Sequence, residues 1–219
     1  MNCLKPLLVF LLFIPFAHQT LCAQPSVHDQ KGAELLQKAS EKLKGYASFE
    51  IDFSYVLENE EYSMKETMDG RLLSQGDKYQ MKVGENTFIS DGTNVWTYLE
   101  EFNEVHISLA EETEGGLTPT SLFDEFETQF RSRFIRREQI EGKPVDIIDL
   151  VPQQAQAFFK YRVALDGNNH NLVYTEAYDR QGGTYTYTVK RFRTNVTVPS
   201  DAFTFSPSKY PGIEIIDLR

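Results

Sequence analysis

Cysteine is nearly missing from this sequence, histidine is sparse and base falls short of acid; each shortage removes a class of function. Only Cys3 and Cys22 occur, both in the amino-terminal stretch. Cleavage behind Ala23 would leave a mature chain without thiols, which excludes disulfides, thiol nucleophiles and cysteine-ligated metals. Of the four histidines, His28 precedes the first expected helix, His106 falls in an expected strand and His170 in an expected turn. They share no ligand spacing such as HExxH, and each reads as a surface histidine. There is no glycine-rich phosphate loop and no G-x-S-x-G elbow. Glu100-Glu101 and Glu111-Glu112 are adjacent acids that face opposite ways or into solvent. The expectation is a protein that is not an enzyme, with no catalytic residue, metal or cofactor.

Lys and Arg number 22 against 32 Asp and Glu, a net charge of −10. Such a chain is a poor partner for phosphate backbones or anionic membranes, so nucleic-acid binding is not expected. One local exception is Arg131, Arg133, Arg136 and Arg137. It reads as an exposed strand face, with a docking patch for a partner protein or an acidic headgroup as the sharper alternative.

Long apolar runs are also lacking. Lys5 precedes Leu7 to Ile14, which Pro15 interrupts; a bilayer span needs roughly 20 apolar residues. A charged start, a short apolar core and the small Ala23 make residues 1–23 an expected secretory signal, cleaved to leave a periplasmic protein. Lipidation at Cys22 is the rival, and the bulky Leu21 argues against it. The signal carries only Lys5 as charge, so the mature chain, residues 24–219, would stand at −11. It is long enough for one domain with a large core, and no repeat or linker marks a second.

What is plentiful is alternation. A helix is expected from about Asp29, as N-cap, to Lys44, with Leu36, Ala39 and Leu43 at helical spacing and Gly45 as the stop. The period then becomes two: Phe49, Ile51, Phe53, Tyr55 and Leu57 point one way, Glu50, Asp52 and Ser54 the other. Further strands are expected at Tyr62–Leu73, Lys78–Val83, Phe88–Ser90, Val95–Leu99 and Val105–Leu109. Others follow at Phe130–Arg137, Val145–Leu150, Tyr161–Leu165, Leu172–Tyr178 and Thr184–Phe192. Asp91-Gly92-Thr93-Asn94 is a turn signal. Glu111 to Gly116 reads as a mobile loop. Thr118-Pro119-Thr120 can start a short helix whose stripe is Leu122, Phe123 and Phe126.

About ten or eleven short strands with hairpin turns make an antiparallel meander, too many to remain flat. Closure into a barrel, a sandwich, or a curved sheet covered by helices are the options. Two amphipathic helices, one inserted midway, favour the third: a mainly β fold, an incomplete barrel with a helical lid. The 16 Phe and 11 Tyr suit either an ordinary core or an apolar cavity, and Met64, Met68 and Met81 would make such a surface adaptable.

Several stretches resemble the LolA-type periplasmic carriers that escort lipoproteins to the outer membrane. After the helix, Tyr46 to Phe53 is similar to that family's first strand, and Ile89-Ser90-Asp91-Gly92-Thr93-Asn94-Val95-Trp96-Thr97-Tyr98 to its hairpin. Thr118-Pro119 with Leu122 sits where the family inserts its lid, Ile148 to Pro152 resembles a later strand, and Phe203 to Asp217 resembles its closure. The resemblance implies a hydrophobic cavity for acyl chains between the inner face and the lid. Its expected lining is Leu36, Leu43, Phe49, Ile51, Phe53, Tyr55, Met64, Met68, Tyr79, Met81, Phe88, Trp96, Leu122, Phe123 and Phe126. It further implies a monomer that meets an inner-membrane releasing complex and an outer-membrane acceptor. A lipid-binding sensor and a lipid-anchored acceptor share the fold. The family's Arg-Pro pair after the second strand is replaced here by Ser74-Gln75-Gly76-Asp77; Arg71 is nearby, with no role assigned.

Overall fold

The computed structural model describes residues 27–110, 120 and 122–219. The expected signal, Cys22, the Glu111–Gly116 loop and Thr118-Pro119 lie outside them. Helix α1, Val27–Lys44, forms where Leu35, Leu36 and Ala39 recur at helical spacing, and these three are buried. Asp29 lies in its first turn rather than capping it, and Lys42 and Lys44 lie in its last; both signs complement the helix dipole. The Gly45 N–H closes the helix on the Glu41 carbonyl at 2.9 Å.

The strands are β1 Phe49–Asn59, β2 Met64–Gln75, β3 Lys78–Val83, β4 Asn86–Ser90, β5 Asn94–Leu99 and β6 Glu104–Leu109. Helix α2, Leu122–Gln129, intervenes before β7 Phe130–Ile140, β8 Lys143–Pro152, β9 Phe158–Asp166, β10 Leu172–Asp179, β11 Gly183–Thr194 and β12 Glu214–Asp217. All twelve join one open sheet in the order β12-β6-β5-β4-β3-β2-β1-β11-β10-β9-β8-β7. Ten or eleven antiparallel strands were expected. The addition is β12, which joins the edge in parallel with β6 and therefore needs no hairpin signal.

Strand β1 is the sheet's spine, paired along its length with β2 on one side and β11 on the other. Register sorts the side chains: Ile51 lies opposite Leu72 and Phe192, Phe53 opposite Gly70 and Val189, Tyr55 opposite Met68 and Tyr187. These share the face on which the helices pack. The position of Gly70 follows from Phe53. A Cβ there would lie 2.4 Å from two Phe53 ring atoms and 2.9 Å from the Lys82 carbonyl oxygen, so only hydrogen leaves room for the ring.

The outer face is coated by the carboxy-terminal segment. Leu73 packs with Ala202 and Phe203, while Ile89 and Val105 pack with Phe205. At the far edge, α1 lies directly on the backbone of β7. A Cβ on Gly32 would sit 2.9 Å from the Phe134 amide nitrogen. Close seating of α1 thereby covers strand backbone that would otherwise form an open edge.

Candidate functional site

Two adjoining apolar clusters fill the space between the helices and the sheet. One holds Leu35, Leu36 and Ala39 of α1 and Leu122, Phe123 and Phe126 of α2 against Phe130, Phe134, Ile148, Leu150, Tyr161 and Val163. The other holds Phe49, Ile51, Phe53, Leu72, Met81 and Val83, with Tyr55, Met68, Tyr79 and Phe88 partly buried beside them. Leu43 touches both. A polar tie joins the two helices: the Ser40 hydroxyl donates to the Phe123 carbonyl at 2.8 Å. Among the described residues, the gap beside Ala39, Leu43 and Phe123 measures about 10 Å³, room for about one water. In this arrangement helix side chains occupy that space, and an acyl chain could enter there only by displacing them.

Beside the second cluster the lining turns phenolic. The Tyr55 and Tyr187 rings lie 4.9 Å apart, and Tyr187 meets Phe53 edge-on at 5.4 Å. Burial pushes the Tyr55 hydroxyl up to about 12 and raises Tyr79 and Tyr187 above the ordinary phenol value. The charged form is disfavoured where apolar neighbours replace water. The surface is thus apolar and still offers neutral hydroxyl donors.

Thirteen of the fifteen expected lining residues meet in these two clusters. Met64 and Trp96 do not. Met64 is exposed at the start of β2, and Trp96 lies on the outer face, packed with the Ile89, Val105 and Phe205 cluster. The carboxy-terminal coat makes the outer face apolar too, so alternation alone could not decide which way Trp96 points. The expected list also lacks every residue beyond α2: Phe134, Tyr161, Tyr185, Tyr187, Val189 and Phe192 all belong to the same apolar surface. Their signal was the alternation of Tyr185, Tyr187 and Val189.

His28, His106 and His170 fall on separate elements. His28 falls inside α1, and His106 Nε2 lies 3.4 Å from Glu104. His170 is half-buried in the β9–β10 turn: it has φ +61°, and its buried Nδ1 has no hydrogen-bond partner among the described residues. Among the described residues no three His, Cys, Asp or Glu side chains are grouped to hold a metal. The arginine cluster divides: Arg137 makes a paired contact with Asp146 at 2.8 and 2.6 Å, Arg136 pairs with Glu138, and Arg131 and Arg133 stay exposed.

A sequence model of the outer membrane lipoprotein carrier protein LolA matches residues 44–206. The chain belongs to the LolA family. No curated protein matches it. Among solved structures, an uncharacterized conserved protein from Thermus thermophilus is similar at 11% identity and a TM-score of 0.59, over 86% of this chain and 99% of that one. A DUF1329 family protein from Desulfovibrio piger is similar at 9% identity and 0.51, over 84% and 100%. The lipoprotein LppX of Mycobacterium tuberculosis gives 14% identity and 0.49, over 78% and 100%. At these identities the likeness concerns the fold, which for this LolA family member is an open, mostly β sheet with few helices.

Proposed function

We propose that this protein carries the acyl chains of lipoproteins across the periplasm, binding them on the helix-covered face of its sheet and delivering them from the inner to the outer membrane. The observation that carries the reading is the continuous apolar surface from β1 to β8, covered on one flank by an eight-residue helix. Family membership supports it.

The energetics suit exchange. Leu122, Phe123 and Phe126 anchor α2 with burial of roughly 2 kcal/mol each. At ~0.8 kcal/mol per methylene, burying about eight methylenes offsets lifting all three. One acyl chain can therefore replace α2 on the sheet, and water is excluded in both states. Departure of the cargo lets the helix return, so the empty protein exposes no lasting apolar patch. The half-buried phenols of β1 and β11 suit the ester-bearing end of such a chain.

The test is native mass spectrometry of protein isolated from the periplasm. Co-purified acylated protein is the expected finding, with a mature amino terminus at Gln24. Phospholipid alone would point instead to a lipid-binding sensor. A lipid-bearing Cys22 would point to an anchored acceptor, and absence of any acyl species would defeat carriage.

A further inference from the structure

We propose that the corner of the sheet where β7 begins, β8 ends and β9 begins docks the protein on an anionic lipid bilayer. Register brings these residues together. Arg131 lies opposite Val151 and Arg133 opposite Asp149, while Lys160 lies opposite Tyr178 on β10. The Lys160 ammonium sits 3.8 Å from the Tyr178 ring centroid, and Phe159 stands beside the same ring at 6.4 Å. Val151 and Phe159 are large apolar side chains left 46% and 42% exposed.

The cations here are available. Arg131 and Arg133 are exposed, and neither has an ion pair among the described residues. Asp149 and Glu176, on the neighbouring strands, are engaged by other groups: Arg162 grips Asp149 at 2.7 and 3.1 Å and lies 3.9 Å from Glu176, which also accepts the Tyr178 hydroxyl. In a chain of net charge −10, a local excess of positive charge turns this corner toward a negative surface and the rest away. Apolar side chains interleaved with cations select a bilayer over an acidic protein. Val151 and Phe159 can enter among headgroups while the longer Arg and Lys reach phosphates.

The corner is also mechanically close to the cover. Gln153, just past β8, donates its backbone N–H to the Gln129 carbonyl at 2.8 Å and its side-chain amide to the Thr128 carbonyl at 3.3 Å, holding the last turn of α2. A bilayer pressed on this corner therefore bears on the helix that covers the apolar face. The docking itself rests on charge and exposure and holds whether or not that face binds acyl chains.

Flotation with phosphatidylglycerol–phosphatidylethanolamine vesicles, against phosphatidylcholine vesicles, tests it on the mature protein. Binding should require the anionic lipid and weaken as salt screens it. Neutralising one cation should weaken it about fivefold, so Arg131→Gln with Arg133→Gln should lose about 25-fold. Phe159→Ser should weaken binding with the salt dependence kept. These exposed positions leave the core untouched, so an unchanged circular dichroism spectrum and unchanged affinity for a fluorescent fatty acid confirm that docking alone was altered. Equal binding to both vesicle types, or full binding by the double variant, overturns the proposal. So does capture of an acidic protein by a photo-crosslinker at Arg133 in a sample that binds no vesicles.

Discussion

Phe123 is the residue through which a movable cover can be told from a permanent core. Its side chain is 2% exposed and packs in the cluster that joins α1, α2 and the sheet. Phe123→Ala removes that packing and leaves a hole, at a cost of about 3 kcal/mol toward the lower end for such truncations. If α2 lifts to admit an acyl chain, the loss falls on the covered state and not on the loaded one. Apparent affinity then rises by as much as the covered state was favoured, up to about 100-fold for 3 kcal/mol. The assay is a titration with a fluorescent fatty acid, with the thermal midpoint followed in parallel. A gain in affinity with a modest fall in midpoint is expected. Unchanged or weaker binding, together with the full drop of about 6–12 °C that 3 kcal/mol predicts for a chain of this size, would refute the reasoning and make α2 ordinary core.

Other expectations follow from contacts. Gly70→Val should cost about 1–3 kcal/mol by driving the new side chain into Phe53. Urea denaturation should recover part of it when Phe53→Leu is added, and strict additivity would show that the two do not meet. Asp146 is fully buried and held by Arg137, so Arg137→Ala should destabilise by about 3 kcal/mol through the carboxylate left unpaired; a loss within surface-mutation range contradicts that. Burial raises Tyr161 from 10.0 to about 12. The folded state thus keeps this phenol neutral after the unfolded chain has begun to ionise. The stability it gives is complete below pH 10 and lost as pH rises toward 12, about 2 kcal/mol once partial solvent screening is allowed for. Denaturation across that window, compared with Tyr161→Phe, should show the difference, and identical profiles would oppose it.

Much of the sheet was legible because one buried face imposes alternation. Phe49, Ile51 and Phe53 are all buried, and the intervening acids meet arginines on the other side, as Asp52 meets Arg71 at 2.8 Å. Legibility fails where both faces are apolar. Leu72 and Leu73 are both buried, one toward the helices and one under Phe203; the same double coating hid the orientation of Trp96. Strand β12 escaped notice because its four residues, Glu214–Asp217, include no buried position to set a phase. The partial cover of His170 was not legible because α1 packs over the β9–β10 turn, where Lys42 reaches the Asn169 carbonyl at 2.7 Å, a contact between residues distant in sequence.

The account depends on acyl chains meeting the helix-covered face and not the outer one, and site-specific photo-crosslinking measures this most directly. With a crosslinking amino acid at Tyr55 or at Trp96 and a triacylated lipopeptide as ligand, adducts should form at Tyr55 and not at Trp96. No adduct at Tyr55, or equal labelling at both positions, would contradict it.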